Sequence, residues 1–187
     1  MPPTPLEREV KLRYPSAADA RQAVLQLGAA PLHGRRLQAD ALLDTPDGLL
    51  GARGSTLRIR REAGTSRLTF KGPVQPSAVK VREELETTVG DDAVLFRVFT
   101  ELGLRVGFRY EKYREEFSHG DLIVAIDETP IGVFVELEGS EPAIAAAAAA
   151  LGRPVRDYIV DSYRGLFLRH RQALGLPDGD MVFNTPA

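Results

Sequence analysis

The sequence predicts an α+β fold in which about eight antiparallel strands are accompanied by about four helices. Apolar and polar residues alternate with a period of two in eight stretches, which is the spacing of strands. Several of these stretches are joined by short links, such as "EAGTS" at 62–66 and "SHG" at 118–120, which suit antiparallel hairpins. Four other stretches have helical spacing, and they do not alternate strictly with the strands as the helices of a parallel sheet do.

The bounds of the predicted elements follow from these two periods. The strands cover residues 6–14, 37–43, 55–62, 66–72, 79–89, 108–118, 121–128 and 132–138. The helices cover about residues 17–27, 92–102, 142–151 and 162–174. Ser16 and Asp91 are suitable N-caps for the first two helices. Each helix is followed by a glycine, the usual left-handed residue at a helix end: Gly28, Gly103, Gly152 and Gly175.

Length and composition indicate one domain of an ordinary globular protein. The 187 residues are enough to bury a core, and 43% of them are hydrophobic while 27% are charged. We therefore predict a single domain over residues 1–187, with an irregular tail after residue 175. Cysteine is absent, so a bound metal ion would be held by oxygen ligands or by the three histidines.

Charge and hydropathy argue against two classes of partner. The formal net charge of −2 leaves no excess of basic side chains to neutralise a nucleic-acid backbone. The longest apolar run, residues 145–151, is far shorter than the roughly 20 residues of a membrane-spanning helix. The first residues, "MPPTPLERE", lack the basic start and the apolar centre of a secretion signal. We therefore expect a cytoplasmic protein without a nucleic-acid or membrane partner.

The charged residues of the predicted strands fall on one face. In "LEREVKLRY", residues 6–14, Glu7, Glu9 and Lys11 share a face, because alternate side chains of a strand point in the same direction. Val10 lies on the opposite, apolar face. The same sorting places the following residues on the charged faces of the later strands: Arg58, Arg60, Lys71, Lys80, Arg82, Glu84, Glu86, Lys112, Arg114, Glu116, Asp127, Glu136 and Glu138.

Two arrangements of the strands are consistent with this pattern. In an open antiparallel sheet, the charged face would be the face in contact with water. In a closed barrel, for which eight strands suffice, the charged face would line the lumen. Charges inside a lumen are costly unless each is paired or binds an ion. Clustered carboxylates select Mg²⁺ or Mn²⁺, while arginine and lysine bind phosphate oxygens, so such a lumen would suit a polyphosphate with its divalent ion.

Several motifs resemble those of one protein family. "EREVK" at 7–11 fits the E-x-E-x-K signature of the CYTH superfamily, whose members are also called triphosphate tunnel metalloenzymes. Further motifs follow in the order that the family has: "QADALLDTPDGLL", "LRIRRE", "TFKGP", "REELE", "EKYREEF", "IDETPIGVFVELEG" and "SYRGL". Together they cover about residues 6–168, and the ordered set is far more specific than the first motif alone.

The resemblance implies an eight-stranded antiparallel β-barrel, flanked by the helices, whose charged lumen is a tunnel for a triphosphate and divalent cations. The metal-binding carboxylates that it implies are Glu7, Glu9, Glu136 and Glu138, with Glu84, Glu86 and Asp127 as further candidates. The triphosphate contacts that it implies are Lys11, Arg58, Arg60, Lys71, Arg82, Lys112 and Arg114. Lys11 is also a candidate for proton transfer, provided that neighbouring arginines lower its pKa more than the two nearby glutamates raise it.

A few polar residues have no clear place in these signatures. Lys80 is in phase with Arg82, and both a surface position and a phosphate contact are consistent with it. Surface or structural roles are expected for the histidines, which have no ligand-like spacing: His33, His119 and His170. Strand ends and turns, where aspartate is common, are expected for three acidic residues: Asp40, Asp44 and Asp47.

The expected function is that of a metal-dependent enzyme acting on a triphosphate. The spacing of "LDTPDGLLGARGSTLRIRRE" and the single domain are most similar to the class IV adenylate cyclases, which convert ATP to cyclic AMP and pyrophosphate. A triphosphatase that hydrolyses inorganic, thiamine or nucleoside triphosphate has the same signatures. A non-catalytic module that binds polyphosphate or a nucleotide would not need both Glu-x-Glu pairs, which are present here. The protein is expected to act as a monomer or homodimer on a small-molecule triphosphate.

Overall fold

The computed structural model describes residues 5–183, which form eight strands and five α-helices. The strands are β1 (Leu6–Tyr14), β2 (Ala30–Asp44), β3 (Thr56–Glu62), β4 (Thr65–Lys71), β5 (Lys80–Val89), β6 (Arg105–His119), β7 (Leu122–Thr129) and β8 (Gly132–Glu138). The helices are α1 (Ala17–Gln26), α2 (Leu49–Ala52), α3 (Asp92–Glu101), α4 (Glu141–Ala150) and α5 (Tyr163–Leu174). One 3₁₀ turn precedes α5, at Val155–Asp157.

The strands form a closed barrel in the order β1-β5-β4-β3-β2-β6-β7-β8, and every neighbouring pair is antiparallel. β1 closes the ring because Glu7 pairs with Arg82 on β5, while Lys11 pairs with Glu136 on β8. The predicted eight-stranded antiparallel barrel is therefore confirmed, and the open sheet is excluded. Since side chains of a strand alternate between two faces, the charged set that the sequence defines points into the lumen.

β2 and β6 extend furthest beyond their predicted bounds. β2 begins at Ala30 rather than at residue 37, and β6 begins at Arg105 rather than at residue 108. Residues 30–36 are mainly exposed, so they lack the apolar alternation by which a strand is recognised in the sequence. They are held extended by pairing with the far end of β6, although register shifts interrupt that pairing.

Helix α2 has no counterpart in the sequence-based prediction, because four residues are too few to show a helical period. It is stabilised by Asp44 at the end of β2, whose carboxylate accepts hydrogen bonds from the backbone amides of Leu50 at 2.8 Å and Gly51 at 2.9 Å. Asp47 lies in the turn between β2 and α2. The strand-end and turn positions predicted for Asp44 and Asp47 are therefore confirmed.

The apolar faces of the strands lie on the outside of the barrel, where helices cover them. On β1 and β8, Leu12 and Leu137 pack with Val24 of α1 and Ile144 of α4. Burying a valine, leucine or isoleucine side chain completely stabilises a fold by about 1.5–3 kcal/mol. This packing fixes which face of each strand is outside, so the charged faces are left to the lumen. None of the helices within residues 5–183 is long and apolar enough to span a membrane.

The segment after α4 covers one end of the barrel. β1 pairs with β5 only over its first residues, and beyond that point the backbone of Lys11 exchanges two hydrogen bonds of 2.9 Å with Ile159. α5 then begins at this end, with Ser162 as its N-cap. Further along, the backbone of Met181 bonds to two residues of β6, and its side chain is fully buried in an aromatic cluster with Phe108 and Phe167. The C-terminal segment is therefore part of the barrel's closure.

Candidate functional site

The barrel encloses a cavity of about 640 Å³ that is lined by charged side chains from its strands. All the carboxylates and cations predicted for the site line this cavity except Asp127: Glu7, Glu9, Lys11, Arg58, Arg60, Lys71, Arg82, Glu84, Glu86, Lys112, Arg114, Glu136 and Glu138. Side chains that are far apart in the sequence thus meet in one enclosed space. Their roles as metal ligands or phosphate contacts stay predictions, while their convergence is a property of the fold.

Asp127 lies behind the cavity wall, with no exposed surface. Its carboxylate accepts hydrogen bonds from Lys112 Nζ at 2.6 Å, Arg114 Nε at 2.7 Å and the Tyr163 hydroxyl at 2.7 Å. Burial, followed by the positive charge of Arg114, lowers the pKa of Lys112 to about 8. Asp127 therefore holds two cations of the wall in place, and its oxygens are occupied by protein donors. Its predicted role as a metal ligand stays untested.

Lys11 lies at the centre of a second network of charges. Its Nζ is 2.9 Å from Glu9 and 3.3 Å from Glu136. Burial acts to lower the pKa of Lys11, but these two carboxylates outweigh burial and raise the pKa above its usual range. Lys11 is therefore protonated at neutral pH, which suits it to donating a proton or a hydrogen bond and not to accepting a proton.

Lys80 belongs to the same network, which answers the question that the sequence left open. It is only 3% exposed, and its Nζ donates to Glu9 at 2.7 Å. Burial, followed by the positive charge of Lys11, lowers the pKa of Lys80 to about 8. Lys80 therefore lies in the cavity wall and not on the surface.

The arginines of β3 form a basic wall around a buried aspartate. Arg60 makes a two-point contact with Asp40, at 2.9 and 3.1 Å, and Arg58 Nε lies 3.5 Å from the same carboxylate. Asp40 is in the middle of β2 and 3% exposed, so the strand-end or turn role predicted for it is wrong. The error arises because aspartate is rare inside strands unless a buried cation needs a counter-charge.

Another group of contacts joins β1, β4 and β5. Lys71 Nζ donates to Glu7 at 2.6 Å and to Glu84 at 2.9 Å, while Arg82 Nε donates to Glu7 at 3.1 Å. Glu86 lies nearer the exterior, where it accepts from the Thr69 hydroxyl at 2.9 Å. These carboxylates balance the lysine and arginine charges of the wall.

Glu138 differs from the other acidic side chains of the lumen. Within residues 5–183 it has no ion pair and no hydrogen-bond partner for its carboxylate. Burial, followed by the negative charges of Glu7, Glu9 and Glu136, raises the pKa of Glu138 to about 7. An excess of oxygen ligands and negative charge therefore collects at this point of the cavity. Such a donor set fits Mg²⁺ or Mn²⁺, although no three potential ligands in the described part of the chain converge closely enough to hold an ion as they stand.

A second cavity of about 350 Å³ lies at the end of the barrel that α5 covers. It shares four cations with the lumen cavity, Arg58, Lys71, Lys80 and Arg82. Its other walls combine apolar residues, such as Phe108 and Val160, with polar ones. The two cavities thus meet at a common set of cations. The lumen cavity, on one side of these cations, is charged, and the second cavity, on the other side, is suited to an uncharged organic group.

The histidines are not part of the cationic wall. His33 is exposed at the rim of the lumen cavity, with Nδ1 3.0 Å from Glu116. His119 is partly buried and His170 is exposed, and neither lines the lumen. The surface or structural roles predicted for the three histidines agree with these positions.

Sequence reasoning missed several residues of the cavity wall, among them Gln38, Tyr110 and Tyr163. Gln38 lies within the predicted strand 37–43 and in phase with Asp40, but it went unnoticed because it carries no charge. Tyr163 is within the motif "SYRGL", but its contact with Asp127 spans 36 residues and depends on how α5 closes the barrel. The usable signals were the parity of Gln38 and that of Tyr110, which is in phase with Lys112 on the predicted strand 108–118.

Comparison with known proteins bears on both the family and the fold. The CYTH domain family profile matches residues 5–163 of this chain. A curated relative from Methanocaldococcus jannaschii, named "Putative adenylate cyclase", is 29% identical over 136 residues, which are 72% of this chain and 77% of that relative.

Solved structures share the architecture. One described as a "putative adenylate cyclase" from Vibrio parahaemolyticus has a TM-score of 0.76 at 21% identity and covers 88% of this chain and 99% of that one. A Pyrococcus horikoshii OT3 protein has a TM-score of 0.73 at 24% identity, with 86% and 98% covered. A protein from Hippeastrum, described as a "Putative adenylyl cyclase" with a dominant triphosphatase activity, has a TM-score of 0.65 at 23% identity, with 88% and 96% covered. At these identities the structural likeness shows the fold alone.

Proposed function

The chain belongs to the CYTH domain family, and on that premise we propose that it is a metal-dependent enzyme that acts on a triphosphate inside the barrel lumen. The observation that carries the proposal is the enclosed cavity of about 640 Å³, in which lysines and arginines from six strands converge. A chain of three phosphates carries several negative charges in a narrow, extended shape. An enclosed cationic cavity neutralises those charges and holds the chain extended.

The arginines differ in how their N–H groups are engaged by protein acceptors, and therefore in how they can bind a phosphate oxygen. Arg58 Nε is buried 3.5 Å from Asp40 and has no hydrogen-bond partner within residues 5–183, so this guanidinium has unused donor capacity. Arg60 and Arg114 are held by two-point contacts to Asp40 and Asp127, which fix the direction of their remaining N–H groups. Arginines fixed in this way lose little side-chain entropy when they bind phosphate.

Mg²⁺ or Mn²⁺ would be held on the side of the cavity that carries Glu7, Glu9, Glu136 and Glu138. The support is the uncompensated negative charge at Glu138, whose carboxylate has no other partner in the described chain. A divalent ion bound there would neutralise phosphate oxygens and so favour attack at phosphorus. Glu84, Glu86 and Asp127 accept from protein donors and, unlike Glu7, Glu9 and Glu136, are not among the charges that raise the pKa of Glu138, so we assign them to the positioning of cations.

Two reactions are consistent with this cavity, and we favour adenylate cyclisation. The curated relative is named "Putative adenylate cyclase", and the second cavity next to Arg58, with apolar residues in its wall, offers space for the organic part of ATP. In cyclisation the 3′-hydroxyl attacks the α-phosphorus and pyrophosphate leaves. Triphosphate hydrolysis is the second candidate, because the Hippeastrum protein of the same fold is described with that activity. In either reaction, protonated Lys11 would stabilise a departing phosphate oxygen.

A substrate panel tests the proposal. Purified protein is incubated with Mg²⁺ or Mn²⁺ and with ATP, thiamine triphosphate or tripolyphosphate, and the products are separated by chromatography. Glu138→Gln should abolish metal-dependent turnover, whereas the matched change Glu115→Gln, at a partly exposed ion pair with Arg21 away from the lumen, should leave it intact. Binding of tripolyphosphate without turnover of any substrate would instead identify a non-catalytic binding module.

A further inference from the structure

Gln38 is a neutral amide in the wall of a cavity that is otherwise lined mainly by ions. It lies on β2, is 1% exposed, and pairs in register with Glu62 on β3 and Lys112 on β6. Its side-chain nitrogen donates a hydrogen bond to Glu62 at 3.2 Å. Its side-chain oxygen, Oε1, has no hydrogen-bond partner within residues 5–183.

The orientation of this amide is fixed by its neighbours. Arg36 forms ion pairs with both Glu62 and Glu116, so the Glu62 carboxylate is held in one position. Reversing the amide would place its oxygen against that carboxylate, and two acceptors repel each other. The nitrogen of Gln38 must therefore face Glu62, and the oxygen is left as the unpaired atom in the wall.

An unpaired buried acceptor is destabilising, so its presence calls for a partner. The described chain does not supply one, since Oε1 has no partner there. Lys112, the residue of β6 in register with Gln38, donates to Asp127, and Arg60 of β3 is bound to Asp40. Ionised phosphate oxygens do not supply one either, since they only accept hydrogen bonds. A divalent ion could also bind an amide oxygen, but we assign that ion to the carboxylates beside Glu138. The group that satisfies Gln38 is then a proton donor, and in a phosphate-transfer site the natural candidate is the attacking hydroxyl.

We propose that Gln38 positions the nucleophile by accepting a hydrogen bond from its O–H group, which is a water molecule in hydrolysis and a substrate alcohol in cyclisation. This inference rests on the proposed function. The nucleophile oxygen forms a new P–O bond while the bond from that phosphorus to the bridging oxygen breaks. The proton passes to an oxygen of the departing phosphate and not to Gln38, because an amide oxygen is too weak a base to keep it. Gln38 therefore sets the direction of attack.

Two variants separate positioning from a structural role. Gln38→Met keeps the length of the side chain without its hydrogen bonds. The exchange of Gln38→Glu with Glu62→Gln keeps an oxygen acceptor at position 38 and reverses the donor and acceptor of the hydrogen bond between the two residues. With tripolyphosphate, for which only water can attack, Gln38→Met should lower kcat by about 10- to 100-fold and change KM by less than about threefold. The exchange variant should recover part of the lost kcat. Gln22→Met, at an exposed position of α1, is the matched control.

The outcomes distinguish this inference from the proposed function. Active wild-type protein with an equally active Gln38→Met variant would contradict the role of Gln38 and leave the proposed function standing. A parallel loss of kcat, substrate affinity and urea stability, without recovery in the exchange variant, would show a structural role and would also overturn the inference. With ATP, a fall in cyclic product that matches the fall in kcat identifies the substrate alcohol as the partner of Gln38. Wild-type protein without turnover of any triphosphate contradicts the proposed function itself.

Discussion

Asp127→Asn should destabilise the protein strongly, because Asp127 is the common counter-charge of two buried cations. The carboxylate has no exposed surface and accepts from Lys112 at 2.6 Å, Arg114 at 2.7 Å and Tyr163 at 2.7 Å. Asparagine keeps the shape of the side chain but removes the charge, and it turns an N–H₂ group towards neighbours that are themselves donors. The variant therefore leaves two buried cations without full compensation.

The size of the effect follows from burial. Removing one partner of a buried ion pair typically costs about 3–5 kcal/mol, compared with about 5–15 kcal/mol for the whole free energy of unfolding. For a chain of this length, about 3–5 kcal/mol corresponds to a fall of roughly 6–20 °C in Tm. Glu128→Gln, at the next residue of β7, is the control because its pair with Arg35 at 2.6 Å is partly exposed. Such pairs contribute about 0–1 kcal/mol.

Urea unfolding followed by circular dichroism measures both variants against the wild-type protein. The midpoint of Asp127→Asn should fall with an unchanged slope, and that of Glu128→Gln should stay close to the wild-type value. Added tripolyphosphate should stabilise Asp127→Asn, because the phosphate charge replaces part of the lost carboxylate charge. If the two variants had the same midpoint, the inferred role of Asp127 as the counter-charge of the wall would be refuted.

Three further changes test other parts of the structure. The pKa of Glu138 is about 7 in the folded protein against an ordinary 4.5, so the folded state binds this proton more tightly than the unfolded state does. The stability gained from this proton is complete below about pH 4.5 and is lost as pH rises to about 7. Glu138→Gln should therefore raise the free energy of unfolding at about pH 8 by about 1–3 kcal/mol without divalent ions, and equal urea midpoints there would contradict this. Arg58→Ala should lower kcat/KM for tripolyphosphate by at least about tenfold through the loss of charged donors, and unchanged kinetics would remove Arg58 from the site. Asp44→Ala should cost about 1–2 kcal/mol in urea unfolding by releasing the amides that begin α2. Burial acts to raise the pKa of Asp44, but the hydrogen bonds from these amides outweigh it and lower the pKa. The difference in unfolding free energy between the wild-type protein and Asp44→Ala should therefore shrink as pH falls through that pKa. A difference that does not change with pH would argue against this role of Asp44.

Much of the barrel and of its inner surface was predictable from the sequence, because one rule governs both. The alternation of Glu7, Glu9 and Lys11 with apolar residues assigns these side chains to one face, and closure of the sheet then brings that face together with its equivalents on the other strands. Period-two patterns are local, so they can be recognised without knowledge of contacts. The same rule placed Lys80 on the charged face, although its role remained open.

The remaining features depend on contacts that no local pattern encodes. Asp40 is a counter-ion because Arg58 and Arg60 lie on the neighbouring strand, which only strand pairing reveals. Tyr163 reaches Asp127 because the chain after α4 crosses the end of the barrel before α5 begins. The unpaired oxygen of Gln38 is a three-dimensional property, since it is defined by what surrounds the amide and not by the residue itself.

Most lumen carboxylates are paired with a lysine or an arginine, so under the proposed function binding would be an exchange of ions. A phosphate chain bound to Lys71 or Lys11 would free the glutamates that these lysines neutralise, and the freed oxygens would then attract divalent cations. Conversely, a cation bound to Glu9 would release Lys11 and Lys80 towards an anion. Substrate and metal would then be linked as heterotropic partners, each raising the affinity for the other by the same factor. Such a tunnel would bind either ion weakly alone and both ions tightly together.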